Sequence, residues 1–164
     1  MERKYKLTEE TINVGDKTLY RIEALRDFSD VKKGAKGGFV EKEENLSQSD
    51  NCWIYYSAKV YDNARVLDNA IVYGNAEVFG NAKVFDYADI YGNAMVFGNA
   101  KVYGYAEVYD NAKVFENADV YGNARIYGNA QVSGNVQVFE DAVIYGNARV
   151  YGYALVCDNT KLCD

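Results

Sequence analysis

From Ile54 onward an aliphatic side chain returns every six residues without insertion or deletion, so the stretch through Lys161 divides into eighteen hexads. Each reads aliphatic, Tyr or Phe, Gly or Asp, Asn, Ala, then a variable and usually polar residue. Across Ala, variable, Val and ring the polarity alternates with period two, the pattern of a strand with one buried face. Ala and Val are predicted to point inward, the variable residue and the ring outward. Between such strands stand Gly74-Asn75, Gly80-Asn81, Gly92-Asn93, Asp110-Asn111 and their equivalents. Gly accepts positive φ, and Asn and Asp visit it and bond nearby backbone, so a corner is expected in every hexad.

A longer period lies over the first. In every third hexad from Ile54 the ring is Tyr55, Tyr73, Tyr91, Tyr109, Tyr127 and Tyr145, whereas Phe79, Phe85, Phe97, Phe115 and Phe139 all fall in the other two sets. The inward isoleucines Ile54, Ile90, Ile126 and Ile144 share the tyrosine set, and the inward aliphatics of the other sets are valine. Eighteen residues therefore make one coil of three parallel strands, and the hexads build a triangular prism of about six regular coils, roughly 30 Å long. Residues 54–164 form this repeat.

Residues 1–53 read differently. INVGDKTLYRI predicts a hairpin turning at Gly15-Asp16. Leu46 and Ile54 stand eight residues apart, which implies an irregular first coil with a two-residue bulge, and Asp50-Asn51-Cys52 supplies a corner and a small inward residue. Hairpin and capping coil are expected to form one unit with the repeat. With the charged run EKEEN they should cover the first end and block strand addition there. No equivalent cap is expected after Lys161.

The pattern aliphatic, any, Gly or Asp, Asn, small, any resembles the hexapeptide repeat of the left-handed parallel β-helix, the all-β fold of many bacterial acyltransferases. That resemblance covers about two thirds of the chain and implies left-handed winding and a homotrimer. The segments KYKLTEETINV and LYRIEALRDFSDVKKGAKGGFVEKEENLSQSDNCWIY resemble the opening of YdcK-like bacterial proteins, a family labelled as transferases.

Composition narrows the function. The chain has 164 residues, 24 acidic against 18 basic side chains and a net charge of -6, which disfavours general binding to nucleic acid. No stretch approaches the roughly 18 apolar residues of a membrane span, and MERKYKLTEET leads into no apolar segment, so a cytoplasmic location is expected. Cys52, Cys157 and Cys163 are odd in number and fit no zinc spacing; free thiols and no metal or cofactor are expected.

Hexapeptide-repeat acyltransferases use a histidine as general base, and the related carbonic anhydrases bind zinc through histidines. This chain has none, and nothing interrupts its repeat, so no catalytic residue is assigned. The outward rings are the anomaly, since fifteen of eighteen slots hold Tyr or Phe where a monomer's surface would avoid apolar patches. They serve to stack neighbouring coils, to form an oligomer seam, or to stack on a ligand. For the seam the candidates are Tyr73, Tyr91, Tyr109, Tyr127 and Tyr145, with Ile71 and Val143 exposed beside them. For a ligand they are Arg65, Lys83 and Lys101, stacked in one column beside Leu67, Phe85 and Tyr103. Like charges at that spacing repel unless Asp68 and Asp86 offset them or the column receives a phosphate, a carboxylate or an acidic partner surface. The leading expectation is a noncatalytic, homotrimeric scaffold or binding module. The alternatives are an acyltransferase without a histidine base and a protein that sequesters a small anionic metabolite or nucleotide in subunit grooves.

Overall fold

The alternation within each hexad gives a two-residue strand such as Lys101–Val102, then a ring, two corner residues and an inward Ala. The structure, a computed structural model, describes residues 2–164 and is a parallel β-solenoid of about seven turns with ~18 residues per coil. Lys101–Val102 pairs in parallel with Lys83–Val84 on one side and Asp119–Val120 on the other. Backbone bonds run from coil to coil, as from Lys101 N to Ala118 O and from Tyr103 N to Val120 O, both 2.9 Å.

Three sheets result. Face 1 contains Lys59–Val60 and every third strand to Arg149–Val150, face 2 runs from Arg65–Val66 to Leu155–Val156, and face 3 from Trp53–Ile54 to Lys161–Cys163. The valines, isoleucines and alanines predicted to point inward are buried from Ile54 through Ile144. Each fully buried valine contributes about 1.5–3 kcal/mol of apolar transfer, which is how so short a strand holds its place.

The corners demand the left-handed backbone conformation. Gly92 has φ of 67°, and a Cβ there would lie 2.8 Å from Asp110 N. Where an acid stands instead, as at Asp68, Asp86 and Asp110, φ is 56°. Its carboxylate then accepts the N–H one coil on: Asp68 from Asp86 at 3.2 Å, Asp86 from Gly104 at 3.1 Å, Asp110 from Gly128 at 3.1 Å. The asparagines do not bond local backbone through their side chains, as expected from sequence, but one another. Asn75, Asn93, Asn111, Asn129 and Asn147 form one such ladder with steps of 3.2–3.3 Å.

At the first end the hairpin consists of β1 (Tyr5–Val14) and β2 (Lys17–Ala24), with Val14 opposite Lys17. β2 pairs antiparallel with β3 (Lys36–Val40), which pairs in parallel with Lys59–Val60. The hairpin thus extends face 1 instead of lying across the end. The prism is closed by Tyr5, Phe28 and Trp53, whose rings meet edge to face at 6.2 and 5.2 Å. Leu46 faces Val66 while Ile54 faces Val72, so the two extra residues inferred from sequence lie between Leu46 and Ile54. Within EKEEN, buried Asn45 donates to Ala64 O at 2.9 Å and seals the first edge of face 2. At the far end Lys161–Cys163 continues the repeat by pairing with Val143–Tyr145.

Candidate functional site

Faces 2 and 3 share a corner, and the unusual side chains of the molecule gather there. On face 2 the register sets Arg65 beside Lys83 and Lys83 beside Lys101, all three exposed. Asp68 and Asp86, the carboxylates that would offset them, each accept a corner N–H and form no ion pair with the column. Among the described residues no ion pair includes any of these three cations. Next to the column Phe85 and Tyr103 stack at 4.7 Å, and the stack continues through Tyr121 to Phe139. The sequence-derived ligand candidates Arg65, Lys83, Lys101, Phe85 and Tyr103 therefore form one contiguous surface.

On face 3 Tyr73, Tyr91, Tyr109, Tyr127 and Tyr145 stack in that order at 4.7, 4.8, 4.9 and 5.4 Å. Tyr55 leaves the column, donating to Asp30 at 2.7 Å. Ile71 is half-buried and with Asp30, Tyr55, Tyr56 and Tyr73 lines a recess of about 340 Å³. Val143 is not exposed as expected: it is 7% accessible, set in register between the long side chains of Arg125 and Lys161. Beside the tyrosines stand Asp89 and Glu107, directly paired. Tyr91 donates to Glu107 at 3.2 Å. Burial, and then the Glu107 charge, push the Asp89 carboxyl up to about 6.

Although Tyr153 takes the asparagine slot near the far end of the corner between faces 1 and 2, the corner between faces 2 and 3 departs from the other two in its middle coils. Its asparagine ladder runs from Asn51 to Asn69, stops, and resumes between Asn123 and Asp141. In the gap stand Tyr87 and Tyr105, stacked at 5.1 Å and 54% and 63% exposed. Sequence reasoning passed over both because they occupy the asparagine slot and not the ring slot. Face 1 offers less. Leu19 and Phe39 of the hairpin sheet cover Tyr61, which is 8% accessible, and Lys59 is neutralised by Glu77 at 3.2 Å.

Two further groups carry chemistry. Lys4 is fully buried, its Nζ donating to Cys52 O at 2.9 Å and Ser49 O at 3.0 Å and lying 3.3 Å from Cys52 Sγ. Burial lowers the lysine and raises the thiol. Lys4 was missed because an N-terminal lysine reads as solvated; it satisfies the carbonyls of the irregular coil. Near the far end Glu140, Cys157 and Asp158 bring donor atoms within 4.8 Å of one another, but Glu140 already accepts the Asp158 N–H at 2.8 Å, repeating the corner motif. All three cysteines are free. No helix among the described residues is long and apolar enough to cross a membrane.

Comparison with known proteins agrees with this architecture. Residues 58–74, 88–104, 118–134 and 142–158 match the YdcK β-solenoid repeat. The uncharacterized acetyltransferase YdcK of Escherichia coli (strain K12) is 43% identical over 61 residues, covering 32% of this chain and 19% of that protein. The N-terminal part carries that identity, so the chain spans less than a quarter of the length of this relative.

Proposed function

We infer that this chain, which carries the YdcK β-solenoid repeat, works as a noncatalytic scaffold or binding module that assembles as a homotrimer through its stacked aromatic faces. The observation that supports this most directly is the continuity of the ring columns. Every face keeps flat stacks at 4.7–5.4 Å, with no inserted loop to carry a substrate and no histidine to act as base. Stacked rings stabilise the coils, yet their outer edges leave a long half-apolar surface that a second protein surface would cover. A cytoplasmic setting suits three free thiols.

Sedimentation velocity tests the assembly. The expected species has three times the 18.4 kDa chain mass, and a monomer at tens of micromolar would refute the reading. The identity to an acetyltransferase favours a second reading, acetyl transfer without a histidine base. Turnover of acetyl-CoA with an amine or hydroxyl acceptor would replace the scaffold with the enzyme.

A further inference from the structure

The two surfaces singled out from sequence, a basic column and a tyrosine column, are adjacent faces of one corner. We propose that copies of this chain associate at the corner between faces 2 and 3, the lysine column of one copy facing the carboxylate column of the next around an axis parallel to the prism. The proposal rests on self-assembly and specifies its surface.

The charge register carries it. A third of a coil rises only about a third of the ~4.8 Å coil spacing, so residues six apart on neighbouring faces stand at nearly equal height. Rotation about an axis along the prism preserves height, and face 2 of one copy then meets face 3 of its neighbour level by level. Successive levels bring together Lys83 with Asp89, Lys101 with Glu107, and Asp119 with Arg125. The signs oppose at all three, and they reverse together at the third. The other corners match less well. Between faces 1 and 2, Glu77 with Lys83 and Lys113 with Asp119 oppose, but Lys59 would meet Arg65 and Glu77 is already paired with Lys59; between faces 3 and 1 only Glu107 with Lys113 oppose. An antiparallel pair centred on Lys101 and Glu107 would set Lys83 against Arg125 and Asp119 against Asp89.

Within one chain the register sets Lys101 beside Asp119 and Glu107 beside Arg125, yet none of the ion pairs among the described residues includes any of the six. The corner adds an independent mark. Tyr87 and Tyr105 replace two asparagines whose ladder bonds are thereby given up, and project where copies would converge. Face 1 is unsuited at its first end, where the hairpin sheet already covers Tyr61. Three prisms turned with this corner inward leave clefts walled by Lys83 and Lys101 of one copy and by Asp89 and Glu107 of the next.

Charge reversal tests the surface. Lys83→Glu with Lys101→Glu is expected to raise the trimer dissociation constant at least tenfold, and Asp89→Lys with Glu107→Lys likewise. The quadruple variant, with both columns exchanged, should return to within about threefold of wild type. The four side chains point away from the core, Lys83 and Lys101 exposed and Asp89 and Glu107 half-buried, so circular dichroism should be unchanged, and recovery in the quadruple variant excludes a folding defect. A wild-type trimer that all three variants retain would overturn the corner and leave the scaffold reading intact. A monomeric wild type would overturn both. Loss of assembly in the double variants without recovery in the quadruple variant would overturn the pairing and point to an outside acidic ligand on the lysine column.

Discussion

Val102→Asp tests the inward and outward assignment on which the rest depends. Val102 is fully buried and pairs with Val84 and Val120. Loss of its apolar burial costs about 1.5–3 kcal/mol, and a carboxylate facing valines and alanines adds several kcal/mol more. The total exceeds about 4 kcal/mol, a large share of the roughly 5–15 kcal/mol that holds a domain together. Val102→Ala should fall between, at about 2–3 kcal/mol, from lost methyls and the cavity left behind. Lys101→Gln, one residue away and exposed, should change stability by less than about 0.5 kcal/mol. Urea denaturation at a concentration where copies are apart gives the three values. A solenoid's stability is a sum over neighbouring coils, so the damage should also be local. Hydrogen exchange in Val102→Asp should quicken first from about Val84 to Val120, while the capped first end keeps its protection. Equal shifts for Val102→Asp and Lys101→Gln would refute the assignment of faces.

Asp89 gives a pH signature in the separated chain. It is flanked in register by Ile71 and Glu107, and the Tyr73 and Tyr91 rings lie beside it. Its carboxyl titrates near 6 when folded, against about 4 unfolded, so the folded state holds the proton longer and stability falls as pH rises through that window. Allowing for partial solvent screening, Asp89→Asn should stabilise by about 1 kcal/mol at pH 7 and remove the slope, as thermal melts from pH 4 to 7 would record. In the assembled protein a neighbour's lysine should draw the same carboxyl back toward 4, measurable by carbon-13 titration. Asn111→Ala should cost about 1 kcal/mol by leaving Asn93 without its acceptor and Asn129 without its donor, against almost nothing for Asn159→Ala, where no ladder bond is made. Leu19→Ala should expose Tyr61 and loosen the hairpin sheet, raising exchange in β1 and β2 without altering that of the coils beyond Phe97.

The fold was legible because a solenoid writes its geometry into its period. Ile54, Ile90, Ile126 and Ile144 against valine elsewhere, and Tyr against Phe in the ring slot, identify the face of each hexad before any coordinate is known. The spacing of Leu46 and Ile54 located the irregular coil for the same reason. Contacts between coils were harder to read. Asn75 looks the same in sequence whether its amide bonds local backbone or Asn93, and only the register brings the two amides to 3.3 Å. Tyr61 reads as another outward ring, but its burial depends on Leu19, which reaches it through the hairpin. Lys4 is buried by residues more than forty positions away. Winding hand has no counterpart in the period at all.

What distinguishes the two kinds of charge on this rod is whether the register satisfies them. A column neighbour lies one coil away, so each outward charge always has two fixed neighbours in its own chain. On face 1 that geometry is used, and Lys59 meets Glu77 directly. On face 2 the same geometry sets three cations in a row, and on face 3 it sets Asp89 against Glu107. Each such like pair costs about 1 kcal/mol or less when solvated, and more once water is displaced. Each column also meets its opposite one coil on, Lys101 beside Asp119 and Glu107 beside Arg125, but neither contact is an ion pair, so both columns keep charge for a surface outside the chain. The reversal at Asp119 and Arg125 carries the same conclusion further. An unspecific acidic or basic partner would leave that level unmatched, whereas a second copy held at equal height matches it.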